Sequence, residues 1–244
     1  MTLPWTAFGV SAFFALLRLP GAIRGANRAM FLALILLSLA MALSIPFFYL
    51  PVDALLGGVN VTDVLLRYSL FAVLFILGMK ASVAYGAPLA GRLIGGPAGR
   101  FVLSAATVSV AVFYALSDLP ESSASLAAYW DQDAVHAYGD SARLYQIYVG
   151  ACLVPSLFGC TTDSRRRSDI RLSAGLLALG LSATVVQSLL NLAVVDADLG
   201  AWDLVLPYWV VIVVSLGLAL MWNSRRLEKR QPAAGSLTKV IPAR

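Results

Sequence analysis

Apolar residues dominate seven stretches of this chain, at 3–19, 29–50, 63–85, 101–116, 141–160, 172–195 and 204–223, with short polar connections between them. A hydrocarbon core about 30 Å thick takes roughly 20 apolar residues per helical crossing, and these stretches approach or exceed that length. The pattern predicts an all-α polytopic membrane protein of seven transmembrane helices. Composition agrees. With 59% hydrophobic residues, 13% charged residues and a mean hydropathy of +0.81, the 244-residue chain is no ordinary soluble domain. The first stretch has no basic residue ahead of it, and Arg18, Arg24 and Arg28 all follow, so it reads as a retained helix rather than a cleaved signal.

Charge then orients the helices, because Lys and Arg near helix ends stay on the cytoplasmic side. Arg18, Arg24, Arg28, Arg92, Arg100, Arg165, Arg166, Arg167 and Arg171 occupy one set of connections, continued by Arg225, Arg226, Lys229 and Arg230 after the last helix. The opposite set holds only Arg67 and Arg143, but carries Asp53, Asp63, Asp118, Glu121, Asp131, Asp133, Asp140, Asp196, Asp198 and Asp203. The expected topology is N-terminus outside and C-terminus cytoplasmic, in a plasma (inner) membrane. Trp5, Tyr49, Tyr129, Trp130, Trp202, Tyr208 and Trp209 fall near the outer boundary, and Tyr85 and Trp222 near the inner one, as interfacial aromatics do. Lys80 lies near the inner boundary, where it can snorkel. The net charge of +5 therefore points to anionic inner-leaflet lipids, or a cytoplasmic protein partner, and not to nucleic acid. The basic tail at 224–244 reads as disordered, and the glycine-rich segment at 87–100, which lacks a Gly-Lys-Ser/Thr ending, as a flexible connection.

Polar groups inside the spans are the candidate site. Thr184, Gln187, Ser188 and Asn191 share one face of the sixth stretch, and Ser141, Tyr145, Tyr148 and Cys152 one face of the fifth. Asp63 and Arg67 on the third are spaced for an i,i+4 ion pair. All lie mainly in the outer halves, so turning them inward would build a polar cavity open to the outside. The plainer alternative is that they are interhelical hydrogen bonds, common in bundles and worth about 0.6 kcal/mol each. Pro46, Pro155 and Pro207 can kink their helices. Small residues at Ala174, Ala178 and Ser182 permit close packing within one chain or between chains.

Enzymatic readings lack residues. His136 is the only histidine, and its neighbourhood with Asp131, Asp133 and Asp140 matches no defined metal spacing, so a solvated acidic loop is expected there. There is no His-Glu-x-x-His motif, no nucleophile elbow and no lysine on the seventh stretch for a retinal Schiff base. Cys152 and Cys160, eight residues apart on one helix, are about 12 Å apart along its axis and cannot bridge. No catalytic residue, metal or cofactor is expected. Asn60-Val61-Thr62 is a sequon that matters only where exported loops are glycosylated.

The outer Pro51-Val52-Asp53, Gly57, Gly58 and Asn60, with Tyr129-Trp130-Asp131-Gln132-Asp133 leading into Tyr145, resemble actinobacterial seven-helix integral membrane proteins commonly labelled as transporters. The resemblance implies architecture and a bacterial origin rather than a substrate. Three functions remain in view: a sensory or regulatory module with an outward-facing cavity and a basic cytoplasmic face, a small-molecule transporter, or a structural or assembly protein. The first is favoured because the polar residues do not continue inward along a complete path.

Overall fold

The computed structural model describes residues 2–25, 27–193 and 201–230, with side chains of 201, 203, 204 and 222–230 left aside. The chain forms α1 (Thr2–Ile23), α2 (Arg28–Leu43), α3 (Pro46–Leu55), α4 (Val61–Tyr85), α5 (Pro88–Gly95), α6 (Pro97–Leu116), α7 (Asp133–Thr162), α8 (Ser168–Ala193) and α9 (Ala201–Arg230). A 3-10 turn at Ala124–Tyr129 lies between α6 and α7. Five of these helices, α1, α4, α6, α7 and α8, are long and apolar enough to cross a membrane. The α2–α3 pair makes a sixth if it counts as one span, and α9 carries a shorter apolar stretch, Val205–Met221. Among the described residues the structure is all-helical, with the several apolar helices of a polytopic protein.

The second predicted helix, 29–50, is broken, with α2 and α3 meeting at 94°. Pro46 cannot donate an N–H and crowds the residue before it, so Ile45 takes an extended conformation (φ −95°, ψ 121°) and Pro46 starts a new helix. Pro155 and Pro207, in contrast, lie inside unbroken α7 and α9.

The segment at 87–100 also departs from expectation: it is helical and packed. Pro88 and Pro97 each occupy a first-turn position, which suits a residue without an N–H, and they start α5 and α6. Gly86 ends α4 in the left-handed region (φ 70°), turning α5 back against α4 and α7. Ala90 and Ile94 are buried, and Gly91 lies so close to Ser82 that an added Cβ would stand 2.9 Å from its Oγ. The glycines there are contact surfaces and not slack.

α7 begins at Asp133 rather than 141, which shortens the expected outer loop, and α9 continues as helix past 223 to Arg230. The tail at 231–244, and Asp196 and Asp198, lie outside the described residues.

Neighbouring helices close a ring in the order α1, α2, α4, α7, α8, α9, with α6 packed on α7 from outside and α5 wedged among α4, α6 and α7. Two apolar clusters hold the bundle together. One joins Leu37, Met41, Val73 and Val211, and the larger runs through Phe71, Val110, Tyr145, Leu153 and Leu177. Outward-facing side chains are apolar too, including Phe13, Ile23, Phe101, Val108 and Leu116, as a lipid-facing surface requires. Arg18 is buried, and its Nη2 donates to the Leu218 carbonyl of α9 at 2.7 Å, so this arginine fastens α1 to α9 as well as marking a helix end.

Small residues set the closest helix approaches. A Cβ on Gly180 would stand 2.7 Å from Val214 Cγ2, so α8 and α9 meet over bare backbone. Replacing Gly180 with Val should force these helices apart and cost about 1–3 kcal/mol, the usual penalty for overpacking. Chemical unfolding in detergent micelles will measure it.

Candidate functional site

The acidic ends of the helices are tied together by a carboxylate of α3. α3 ends at Leu55 and is capped by Leu56, and Gly57 and Gly58 follow with φ of 110° and 71°, bringing the chain back on itself. That return places the fully buried Asp53 against the start of α4. Asp53 Oδ2 accepts from Asn60 N (2.9 Å) and Ser122 Oγ (2.6 Å), while Oδ1 accepts from Thr62 N (3.0 Å). A carboxylate from α3 thus caps α4, as anions favour helix N-termini.

Asn60 extends the latch. Its Oδ1 accepts from Tyr49 Oη (3.0 Å) and Ser123 N (2.6 Å), and its Nδ2 donates to the Glu121 carbonyl (2.7 Å). The residue sits at φ 64°, a left-handed conformation that Asn tolerates better than most. With the amide buried and engaged on both atoms, the sequon nitrogen is closed to a glycosyl donor. Tyr129 Oη donates to the Glu121 carbonyl, and Gln132 bonds both backbone groups of Asp118, so the 118–132 segment is fixed.

One turn along α4, Asp63 and Arg67 form the ion pair their spacing predicts, with Nε to Oδ2 at 2.9 Å. Asp63 is buried, and the same Oδ2 accepts from Tyr138 Oη of α7 at 2.6 Å. The guanidinium carbon of Arg67 lies 4.2 Å from the centre of the Tyr138 ring, a cation–π contact. One tyrosine therefore closes both sides of the pair. Beyond it the interface turns apolar: Phe71 and Tyr145 meet edge-on at 5.0 Å, and the buried Tyr145 hydroxyl has no hydrogen-bond partner among the described residues.

The remaining candidates do not gather around this knot. Tyr148 turns to α5 and donates to the Leu93 carbonyl at 2.8 Å. Thr184 returns its hydroxyl to the Gly180 carbonyl of its own helix, and Ser188 donates to Gln146 Oε1 of α7 at 3.1 Å. Gln187 and Asn191 are half-buried on α8, and both are engaged. The polar residues thus form an α4–α7 knot, an α7–α8 pair and an α5–α7 bond. His136 stacks edge-on against Trp130 at 5.6 Å, and no three His, Cys, Asp or Glu groups converge as metal ligands among the described residues.

At the opposite ends of the helices, Arg166 pairs with Asp163 at 3.3 Å and Arg167 with Asp169 at 3.1 Å. Arg171 Nε donates to the Thr161 carbonyl at 2.9 Å, closing the turn from α7 to α8. The helical backbone of α9 extends through Arg225, Arg226, Lys229 and Arg230.

Sequence reading missed Tyr138, Asp53 and Gln146. Tyr138 lies seven residues before Tyr145 and so on the same helical face, a spacing visible once α7 is allowed to start at Asp133. Asp53 offers no comparable signal, because its partners lie across a turn and a distant loop.

Hydrogen bonds from Ser122, Thr62 and Asn60 offset the cost of burying the Asp53 carboxyl. Replacing Asp53 with Ala strands three donors and should cost on the order of 3 kcal/mol. Hydrogen exchange over 118–132 should accelerate in the Asp53→Ala protein relative to the parent protein at the same pH.

No protein-family model, curated protein or solved structure matches this chain, so function is argued from its own residues and geometry.

Proposed function

We propose that the chain is a non-enzymatic sensory or regulatory module of a bacterial plasma membrane, crossing it seven times with the N-terminus outside and the C-terminus cytoplasmic. Counting α1, the bent α2–α3 pair, α4, α6, α7, α8 and α9 as crossings supports that number. Orientation follows from arginines at one end, among them Arg92, Arg100, Arg165 and Arg171, and acids at the other.

The observation that carries the regulatory reading is α7. It runs unbroken for 30 residues, about 45 Å at 1.5 Å per residue, from Asp133 beside the outer latch to Thr162 beside the arginine loop. Tyr138 near one end holds the Asp63–Arg67 pair, while Asp163, just past the other, holds Arg166. A change in the outer knot therefore moves a rod whose far end presents basic side chains to lipid or to a cytoplasmic partner. The alternative, a transporter, draws support from the bent α2–α3 pair, since broken helices line many transport sites. The apolar contact among Leu37, Met41, Val73 and Val211 favours the regulatory reading, because a solute path needs polar groups through both halves.

Spin labels at Ser164→Cys and Ala98→Cys, with Cys152 and Cys160 replaced by Ser, will report the arginine end in lipid nanodiscs. Asp63→Asn, which weakens the outer knot, should shift the inter-label distance distribution there. An unchanged distribution would count against signalling through α7, and solute flux into vesicles would support the transporter instead.

A further inference from the structure

At the arginine end, a cleft of about 370 Å³ opens between the end of α7 and one stripe of α8, lined by Thr161, Ser168, Arg171, Leu172, Gly175 and Leu179, among others. Its two parts differ in chemistry. The stripe from Leu172 to Leu179 runs about 10 Å along the span, and both leucines are exposed, at 57% and 60%. Gly175 forms the floor, where a Cβ would meet Thr161 Cγ2 at 3.4 Å. At the mouth stand the half-buried Arg171 and the exposed hydroxyl of Ser168.

Among the described residues the arginines there outnumber the acids paired with them. Asp163 and Asp169 are taken by Arg166 and Arg167. Arg171 spends its Nε on the Thr161 carbonyl, and among the described residues neither of its Nη atoms has an acceptor. That one bond fixes the guanidinium at the cleft mouth with two donors directed elsewhere, an arrangement that suits a phosphate oxygen. The guanidinium of Arg165 likewise has no carboxylate among the described residues.

We infer that this cleft binds one anionic glycerophospholipid, its phosphate on Arg171 and Ser168 and an acyl chain along Leu172, Gly175 and Leu179. A soluble anion would use only the mouth, whereas an acyl chain also covers the stripe from Leu172 to Leu179. A zwitterionic lipid would bring its own cation against two unbalanced arginines. The inference narrows the general lipid contact of the arginine end to one bound molecule. It rests on α7 and α8 crossing the bilayer, but not on the direction in which they cross.

The full-length protein is reconstituted in phosphatidylcholine vesicles with a trace of phosphatidylglycerol carrying a diazirine in its acyl chain, or with the matching phosphatidylcholine probe, then illuminated and digested. The glycerol probe should label the 168–179 peptide about fivefold more than the choline probe, the preference one lipid-facing arginine confers. Arg171→Gln should remove that preference, and Gly175→Val, which fills the floor, should reduce labelling by both probes. Equal labelling of the parent protein by the two probes overturns the inference, as does a preference that survives Arg171→Gln. Excess glycerol phosphate should leave the label in place, and displacement by it would make the site one for soluble anions. Retention of protein in the vesicle fraction reports membrane insertion separately, and the comparison of probes on the parent protein decides the matter even where a variant fails to insert.

Discussion

A carboxylate enclosed between two helices costs several kcal/mol unless donors surround it, and the arrangement of α4 against α7 follows from how Asp63 is surrounded. Arg67, one turn along the same helix, supplies charge, and Tyr138 of α7 supplies both a hydroxyl to Asp63 and a ring face to Arg67. The ion pair by itself would hold only one helix to itself. Tyr138 turns it into a tie between helices, and so sets the register in which Phe71 meets Tyr145 and Gly78 admits Val149 further down.

The latch at Asp53 and Asn60 protects that tie. By capping α4 and binding Ser122 and Ser123, it holds the 118–132 segment across the same end of the bundle as the Asp63 knot. Much of the polar matter is concentrated there, whereas the packed clusters are apolar and the arginine end combines short-range pairs with two long-range ties, Arg18 to the Leu218 carbonyl and Tyr85 to Ser173. The molecule thus has a firm polar end and a basic end, joined by α7 without a break.

Much of the helical frame was legible in the sequence, because lipid-spanning helices need long apolar runs and nothing else in the chain resembles them. The break at Ile45 was half legible. Pro46 announced a disturbance, but whether a proline kinks a helix or ends it depends on neighbours that re-satisfy the backbone, and Pro155 and Pro207 lie in helices that continue. The glycine-rich segment misled for a physical reason: glycine signals both freedom and close contact, and only the positions of Ser82 and Met79 show that α5 is packed. In the candidate site, Asp63 and Arg67 were legible because they are local. Asp53 with Ser122, and Ser188 with Gln146, are not local, and a 3.6-residue period says which face a side chain shares but not which helix it meets.

The central claim is that Asp63 and Tyr138 bind α4 to α7 as a coupled unit. A double-mutant cycle tests it directly: unfolding free energies in micelles are compared for the parent protein, Asp63→Asn, Tyr138→Phe and the double variant. Coupling of about 1.5 kcal/mol between the two positions is the predicted result. Additivity within about 0.3–0.5 kcal/mol would contradict the claim, leaving Arg67 as the sole partner that matters to Asp63.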